Sequence, residues 1–171
     1  TKPSKFEILL RENKHAYKEN FINFLMNTNH HITINLDYES VKDKIEIKTK
    51  CIFIKPILYH NKYDLSVIPD FIIHRDIFNE IFSDVHIPNL PLYIVSDIVY
   101  QTVNLNSDMT DLINDNNLYY YKCKIYLCNQ ILGLNDYGIL FAKEYKHKDI
   151  ILRKKSIVGK YLFNNIGSCQ V

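Results

Sequence analysis

The chain lacks several features that would restrict its class at once. No apolar run approaches the roughly 18 residues that a membrane-spanning helix needs, so we expect no membrane partner. No internal repeat, low-complexity tract or linker interrupts the 171 residues, and this length suits a single domain over 1–171 with a sizeable core. The first residue is Thr1 rather than Met, which leaves open a longer natural chain.

The four cysteines include no Cys-x-x-Cys pair, which argues against a metal held by cysteines. Cys123 and Cys128 are five residues apart and fall on different parts of a predicted helix. Free thiols are typical of a reducing compartment, so we expect an intracellular protein.

Arginine is also scarce, with three residues against 18 lysines. The formal net charge of +2 is unevenly spread, because 143–160 carries seven Lys or Arg and only two acids. A basic segment on a near-neutral body suits the backbone of DNA, and an ordinary solvated hairpin is the alternative. The candidate contacts to nucleic acid are Lys143, Lys146, Lys148, Arg153, Lys154 and Lys155.

Hydrophobic periodicity predicts an α/β fold in which helices flank a mixed β-sheet. Helices are expected at 12–26, 76–82 and 118–133, and strands at 51–59, 66–73, 93–103, 137–145 and near Ile150. Residues 32–50 fit either a helix or a strand, and the pattern assigns nothing to 156–171.

Two of the predicted strands each carry one carboxylate in an apolar run, Asp70 within 68–73 and Asp97 within 93–99. A charge in a buried strand is costly unless something compensates it. On neighbouring strands the two aspartates can converge, and two carboxylates with a backbone carbonyl form an oxygen-rich shell for Mg²⁺ or Mn²⁺. Each aspartate alone also fits a strand end or a cap, so a purely structural role stays open.

The predicted helix at 118–133 adds a third charged group. Lys124 falls on the same stripe as Tyr121, Ile125 and Cys128, whereas Lys122 lies off it. A lysine on a buried stripe needs a carboxylate or phosphate partner, unless its stem carries the ammonium to the rim.

Four blocks follow one another along the chain: IPDFIIHRD at 68–76, YIVSDIV at 93–99, YKCKIYLCNQILG at 121–133 and YGILFAK at 137–143. In order and spacing they resemble the PD-(D/E)XK nuclease superfamily, and most closely its lambda-exonuclease-like branch, which large DNA viruses carry. The resemblance covers about 55–148. It implies a restriction-endonuclease-like fold, Mg²⁺ or Mn²⁺ as cofactor, and hydrolysis of phosphodiester bonds in DNA.

The resemblance also implies that Asp70, Asp97 and the Ile98 backbone hold the metal. The family places a lysine two residues after the second acid, where this chain has Val99, and often a glutamine in the helix, where it has Lys124. Valine neither carries charge nor donates a hydrogen bond. Lys124 can bring its ammonium to the same carboxylates, or else the site has decayed and Lys124 only pairs with an aspartate.

We therefore expect a metal-dependent deoxyribonuclease with Asp70, Asp97 and Lys124 as catalytic residues. The alternative is a catalytically inactive nuclease-fold module that binds nucleic acid or another protein. Upstream acids that could complete the metal shell are Glu12 and Glu19.

Overall fold

The computed structural model describes residues 3–83, 87, 89–104, 116–135, 137–147, 150–152 and 163–165. The helices are α1 (Lys5–Met26), α2 (Tyr38–Glu46), α3 (Arg75–Ile81) and α4 (Asn116–Leu132), with one 3₁₀ turn at Asn61–Tyr63. The strands are β1 (Ile32–Ile34), β2 (Ile52–Ile54), β3 (Leu58–His60), β4 (Leu65–Val67), β5 (Phe71–His74), β6 (Tyr93–Asn104), β7 (Gly138–His147), β8 (Ile150–Leu152) and β9 (Phe163–Asn165).

The main sheet has the order β1-β2-β5-β6-β7-β8, and β9 also pairs with β7. Strand β5 is antiparallel to both β2 and β6, whereas β6 and β7 are parallel and are joined through α4. Strands β3 and β4 form a separate two-stranded sheet. This mixed sheet with flanking helices confirms the predicted α/β fold.

Helices α1 and α4 cover opposite faces of the sheet. Phe71 pairs in register with Ser96, so these side chains share a face and Asp97 points to the other. Helix α1 packs on the first face, where the Phe21 ring lies 5.7 Å from that of Phe71. Helix α4 packs on the second face, where Lys124 reaches Asp97.

Helix α4 lies close to β7 because Gly138 has no side chain. A Cβ at Gly138 would overlap the Ile125 side chain, and it would also lie 3.2 Å from the Val95 carbonyl oxygen. Ile125 is itself buried. The glycine therefore sets how near α4, with its charged side chains, comes to the sheet.

The prediction of one strand over 51–59 is wrong, because the chain turns between β2 and β3. Lys55 has a φ of 47°, in the left-handed region that breaks an extended strand. Pro56 follows it and has no N–H to donate to a ladder.

The single strand predicted over 66–73 is also wrong. Its first part belongs to β4 in the small sheet, and β5 begins only at Phe71. Ile68, expected on a strand face, is 46 % exposed. Asp70 therefore lies immediately before a strand rather than within one, which leaves its carboxylate free to turn toward the neighbouring strand.

Helix α1 begins well before the predicted start at Glu12, because Ser4 and Glu7 form a capping box. The Glu7 amide donates to the Ser4 hydroxyl at 3.2 Å, and the Ser4 amide donates to the Glu7 carboxylate at 2.7 Å. The ambiguous segment 32–50 contains both β1 and α2, and Asp37 caps α2.

The other predicted elements agree with the structure to within a few residues: α3, β6, α4, β7 and β8. Within the unassigned segment 156–171, the short strand β9 pairs with β7. Among the described residues, no helix is both long and apolar enough to cross a membrane.

Candidate functional site

Asp70 and Asp97 meet where β5 begins. The Phe71–Ser96 register sets Asp70 opposite Asp97 on the adjacent strand. The Asp70 amide donates to Oδ1 of Asp97 at 2.9 Å, and the Ile98 amide donates to Oδ2 of Asp70 at 2.7 Å. Each carboxylate is therefore held by the backbone of the opposing segment.

The backbone of Asp70 is fixed from a second side. Its carbonyl oxygen accepts a hydrogen bond from the Lys55 amide at 3.0 Å, at the turn between β2 and β3. The residue before it, Pro69, favours an extended approach to the strand because its φ is restricted. The backbone that carries the Asp70 carboxylate is thus fixed by a hydrogen bond to a neighbouring segment of the chain.

Lys124 enters the site from α4. Its ammonium lies 3.0 Å from Oδ1 of Asp97, the same oxygen that accepts the Asp70 amide. The Lys124 side chain is 13 % exposed and that of Asp97 is fully buried. A charge-assisted hydrogen bond with this little solvent is stronger than a surface ion pair.

The burial of Asp97 perturbs its ionisation. Burial is the main cause that raises the pKa of Asp97 to about 6, the Asp70 charge raises it further, and Lys124 opposes both. Burial disfavours the charged form of Lys124, but the charges of Asp97 and Asp70 outweigh it and raise the pKa of Lys124. The contact with Lys124 therefore favours the charged form of Asp97, against the effect of its burial.

A second lysine, which the sequence interpretation missed, reaches the site from α1. The Lys18 ammonium lies 2.8 Å from Oδ2 of Asp70. The sequence does carry a pattern that places Lys18 on the buried face of α1. Lys18 precedes the buried Phe21, Ile22 and Leu25 by three, four and seven residues, which is helical spacing. The stripe argument that selects Lys124 on α4 selects Lys18 on α1 in the same way.

The two upstream acids considered as further ligands do not meet the aspartates. Glu19 pairs with Lys55 at 3.1 Å, and Glu12 lies on the exposed part of α1. The group that α1 sends to Asp70 is thus a cation, Lys18, and not a carboxylate.

Val99 occupies the position at which the resembled family has its lysine. It is 1 % exposed, pairs in register with Ala142, and shares the sheet face of Asp97. The valine supplies packing and no charge at that point, so the ammonium nearest to Asp97 comes from the helix.

One oxygen of the site has no hydrogen-bond partner among the described residues. This atom is Oδ2 of Asp97, which is fully buried and accepts no hydrogen bond from the described residues. A buried carboxylate oxygen without a partner is costly, and a cation is one group that would satisfy it. Two carboxylates beside the Ile98 peptide therefore fit one hard divalent ion.

The same site offers few ligands. In the described part of the chain, no group of three or more His, Cys, Asp or Glu side chains is placed to hold a metal ion. An ion at Asp70 and Asp97 would depend on water and backbone oxygens for the rest of its shell.

A cavity of about 250 Å³ opens beside Lys124, between α4 and the small sheet. Its wall is mostly apolar and consists of Leu65, Ser66, Val67, Tyr120, Cys123, Lys124 and Leu127. Lys124 thus lines the cavity and also contacts the buried carboxylate.

Of the predicted nucleic-acid contacts, Lys143 lies in the described part of β7. The Lys143 ammonium sits 4.7 Å from the centre of the Tyr100 ring, and Lys143 is exposed. Lys146 lies in β7, and the placement of its side chain is outside the described part, as are Lys148, Arg153, Lys154 and Lys155. Among the predicted site residues, the structure therefore brings together Asp70, Asp97, Ile98 and Lys124.

Comparison with protein-family models, with curated proteins and with solved structures gives no match to this chain. The relation to the PD-(D/E)XK nucleases therefore remains a prediction that rests on the four sequence blocks.

Proposed function

We propose that this chain is a metal-dependent nuclease that hydrolyses phosphodiester bonds in DNA, with its active site at Asp70, Asp97 and Lys124. The observation that carries the proposal is the 3.0 Å contact between the Lys124 ammonium and a carboxylate that also binds the Asp70 backbone. Two acids can hold a metal ion that activates water for attack on a phosphate, and an ammonium beside them can stabilise the developing negative charge.

Asp70 and Asp97 would hold Mg²⁺ or Mn²⁺, with the Ile98 peptide beside them. The buried, unpaired oxygen of Asp97 supports this assignment. When bound, such an ion activates a water molecule and neutralises charge on the phosphodiester.

Lys124 would take the role for which Val99 is unsuited. A lysine on a flexible stem can orient water or contact the phosphate while it stays near Asp97. The cavity that Lys124 lines would let a substrate group approach this side chain. Removal of a group with this role costs about 10²–10⁴-fold in rate.

The basic segment would hold the DNA backbone. Lys143 is exposed, and 143–160 carries most of the positive excess of the chain. DNA affinity falls as the salt concentration rises. If Arg153, Lys154 and Lys155 neutralise phosphates, changing all three to Gln makes the negative slope of log affinity against log salt shallower by about 2–3.

The direct test is cleavage of linear double-stranded and single-stranded DNA by the purified protein with Mn²⁺ or Mg²⁺. We expect cleavage by the parent protein and by Lys14→Met, an exposed lysine one turn before Lys18 on α1. We expect the rate of cleavage by Asp97→Asn and by Lys124→Met to be at least about 10²-fold lower. A parent protein that is folded and does not cleave with either ion would contradict the proposal.

The second candidate is a catalytically inactive nuclease-fold module that binds nucleic acid. The Lys18 contact with Asp70 favours it, because an ammonium already occupies that carboxylate. Salt-dependent DNA binding without cleavage selects this candidate, whereas DNA affinity that is weak and insensitive to salt points to a protein partner instead.

A further inference from the structure

Two lysines from opposite faces of the sheet neutralise the two aspartates. Lys18 reaches Asp70 from α1 at 2.8 Å, and Lys124 reaches Asp97 from α4 at 3.0 Å. Two negative and two positive charges balance within this cluster without any added ion. A divalent cation placed between the carboxylates would leave an excess of two positive charges, which is costly in a buried site.

Displacement of one of the two ammonium groups reduces this excess when an ion binds, and the exposures of the two lysines indicate which one leaves at lower cost. The Lys18 side chain is 24 % exposed and its partner Asp70 is 11 % exposed. The Lys124 side chain is 13 % exposed and its partner Asp97 is fully buried. Lys18 has the shorter way to solvent, so its displacement costs less than that of Lys124.

Lys18 also occupies a ligand position on Asp70. Oδ2 of Asp70 accepts from Lys18 and from the Ile98 amide together. A cation that used this oxygen would meet the ammonium at close range, where repulsion between like charges is strong at low dielectric.

We propose that Lys18 is a built-in competitor of the divalent ion: its ammonium holds Asp70 in the metal-free protein and leaves that carboxylate when the ion binds. This inference rests on the metal site of the proposed nuclease and adds a residue that sets its affinity for metal. Lys18 restrains binding at Asp70, whereas Lys124 stays with Asp97.

The test is titration of Mn²⁺ into the whole chain, followed by calorimetry or by the electron paramagnetic resonance signal of free Mn²⁺. Lys18→Gln removes the competing charge, so it should tighten Mn²⁺ binding at least ~10-fold. Lys14→Gln makes the same change of net charge at an exposed site on α1 and should leave the affinity within about twofold. Binding by Lys18→Gln that is no tighter than that of the parent would overturn the inference.

A second variant changes the affinity in the other direction. Lys18→Arg keeps the charge and can hold Asp70 with two hydrogen bonds, so it should weaken Mn²⁺ binding. Thermal unfolding with and without Mn²⁺ gives an independent readout, because the ion should raise the Tm of Lys18→Gln more than that of Lys18→Arg. Equal increases in the two variants would count against competition.

The outcomes separate this inference from the proposed function. Mn²⁺ binding by Lys18→Gln but not by the parent supports the competition and contradicts a metal-dependent activity of the native chain. Equal binding by both overturns the competition and leaves the nuclease proposal standing. Binding by neither overturns both.

Discussion

The Asp70 amide donates a hydrogen bond to the Asp97 carboxylate at 2.9 Å, so the backbone of one acidic residue positions the side chain of the other. The Ile98 amide returns a bond to Asp70 at 2.7 Å. This reciprocal pair depends on the register between β5 and β6, where Phe71 faces Ser96. The geometry of the site is therefore a property of the sheet, and it should persist without metal or substrate.

Loss of Lys124 should destabilise the fold. Lys124→Met leaves the Asp97 carboxylate buried without its ammonium, and such a broken pair costs about 3 kcal/mol. The free energy of unfolding in urea measures the loss, with Lys14→Met as the control on an exposed helix surface. The double variant Asp97→Asn/Lys124→Met should recover much of it, and additive effects of the two changes would show that the pair is not coupled.

Asp97 should contribute stability to the metal-free protein that grows as the pH falls from about 7 toward 4, opposite in sign to Glu7, Asp37 and Glu80, whose carboxyl pKa values are lowered by hydrogen bonds. Burial and the Asp70 charge raise the pKa of Asp97 to about 6, above its ordinary value of 3.8. Between these values Asp97 is more protonated in the folded state than in the unfolded state, so the contribution of Asp97 to the free energy of unfolding decreases as the pH rises. Urea unfolding of the parent and of Asp97→Asn across this range measures the contribution of Asp97 as the difference between their two slopes against pH. Identical slopes would mean that Asp97 does not titrate as described.

Val99 and Lys124 should be exchangeable as sources of the ammonium. Lys124→Ala should lower DNA cleavage about 10²–10⁴-fold. Adding Val99→Lys should restore part of the rate, because Val99 lies on the Asp97 face two residues further along β6. Initial cleavage rates measure the rescue, and Val99→Met in the same background controls for side-chain length. Activity that appears in Val99→Lys alone, and never in the parent, would identify a degenerate native site.

Gly138→Ala should push α4 away from β7. The added Cβ overlaps Ile125, and overpacking of this kind costs about 1–3 kcal/mol. The free energy of unfolding measures this cost. Ile125→Ala removes the atoms that clash, so Gly138→Ala should cost less in the Ile125→Ala background than in the parent. A Gly138→Ala protein as stable as the parent would show that the helix and the strand are less tightly packed than the structure has them.

Much of the site could be predicted from the sequence because its signals are local. Asp97 stands in a long β-branched run, and Lys124 lies at helical spacing from apolar residues, so strand and stripe patterns are enough to single them out. Their meeting point depends on pairing between β5 and β6, which neighbouring position along the chain favours.

The rest depended on features that residue patterns carry weakly. The turn at Lys55 uses a left-handed conformation in a non-glycine residue, so no glycine marks it. The contact of Lys18 with Asp70 joins residues 52 positions apart, and only the packing of α1 on the sheet brings them together. Glu12 and Glu19 are the acids that the sequence offers as candidates for a further metal ligand, whereas the helical spacing on α1 places Lys18 on the buried face.

The most direct test of the site is the anomalous signal of Mn²⁺ in crystals of the parent protein soaked in the ion. We predict one Mn²⁺ within about 2.5 Å of an oxygen from each of Asp70 and Asp97, with the Lys18 ammonium withdrawn from Asp70. Crystals that show no Mn²⁺ at these carboxylates, with both lysines still in place, would contradict a metal site there.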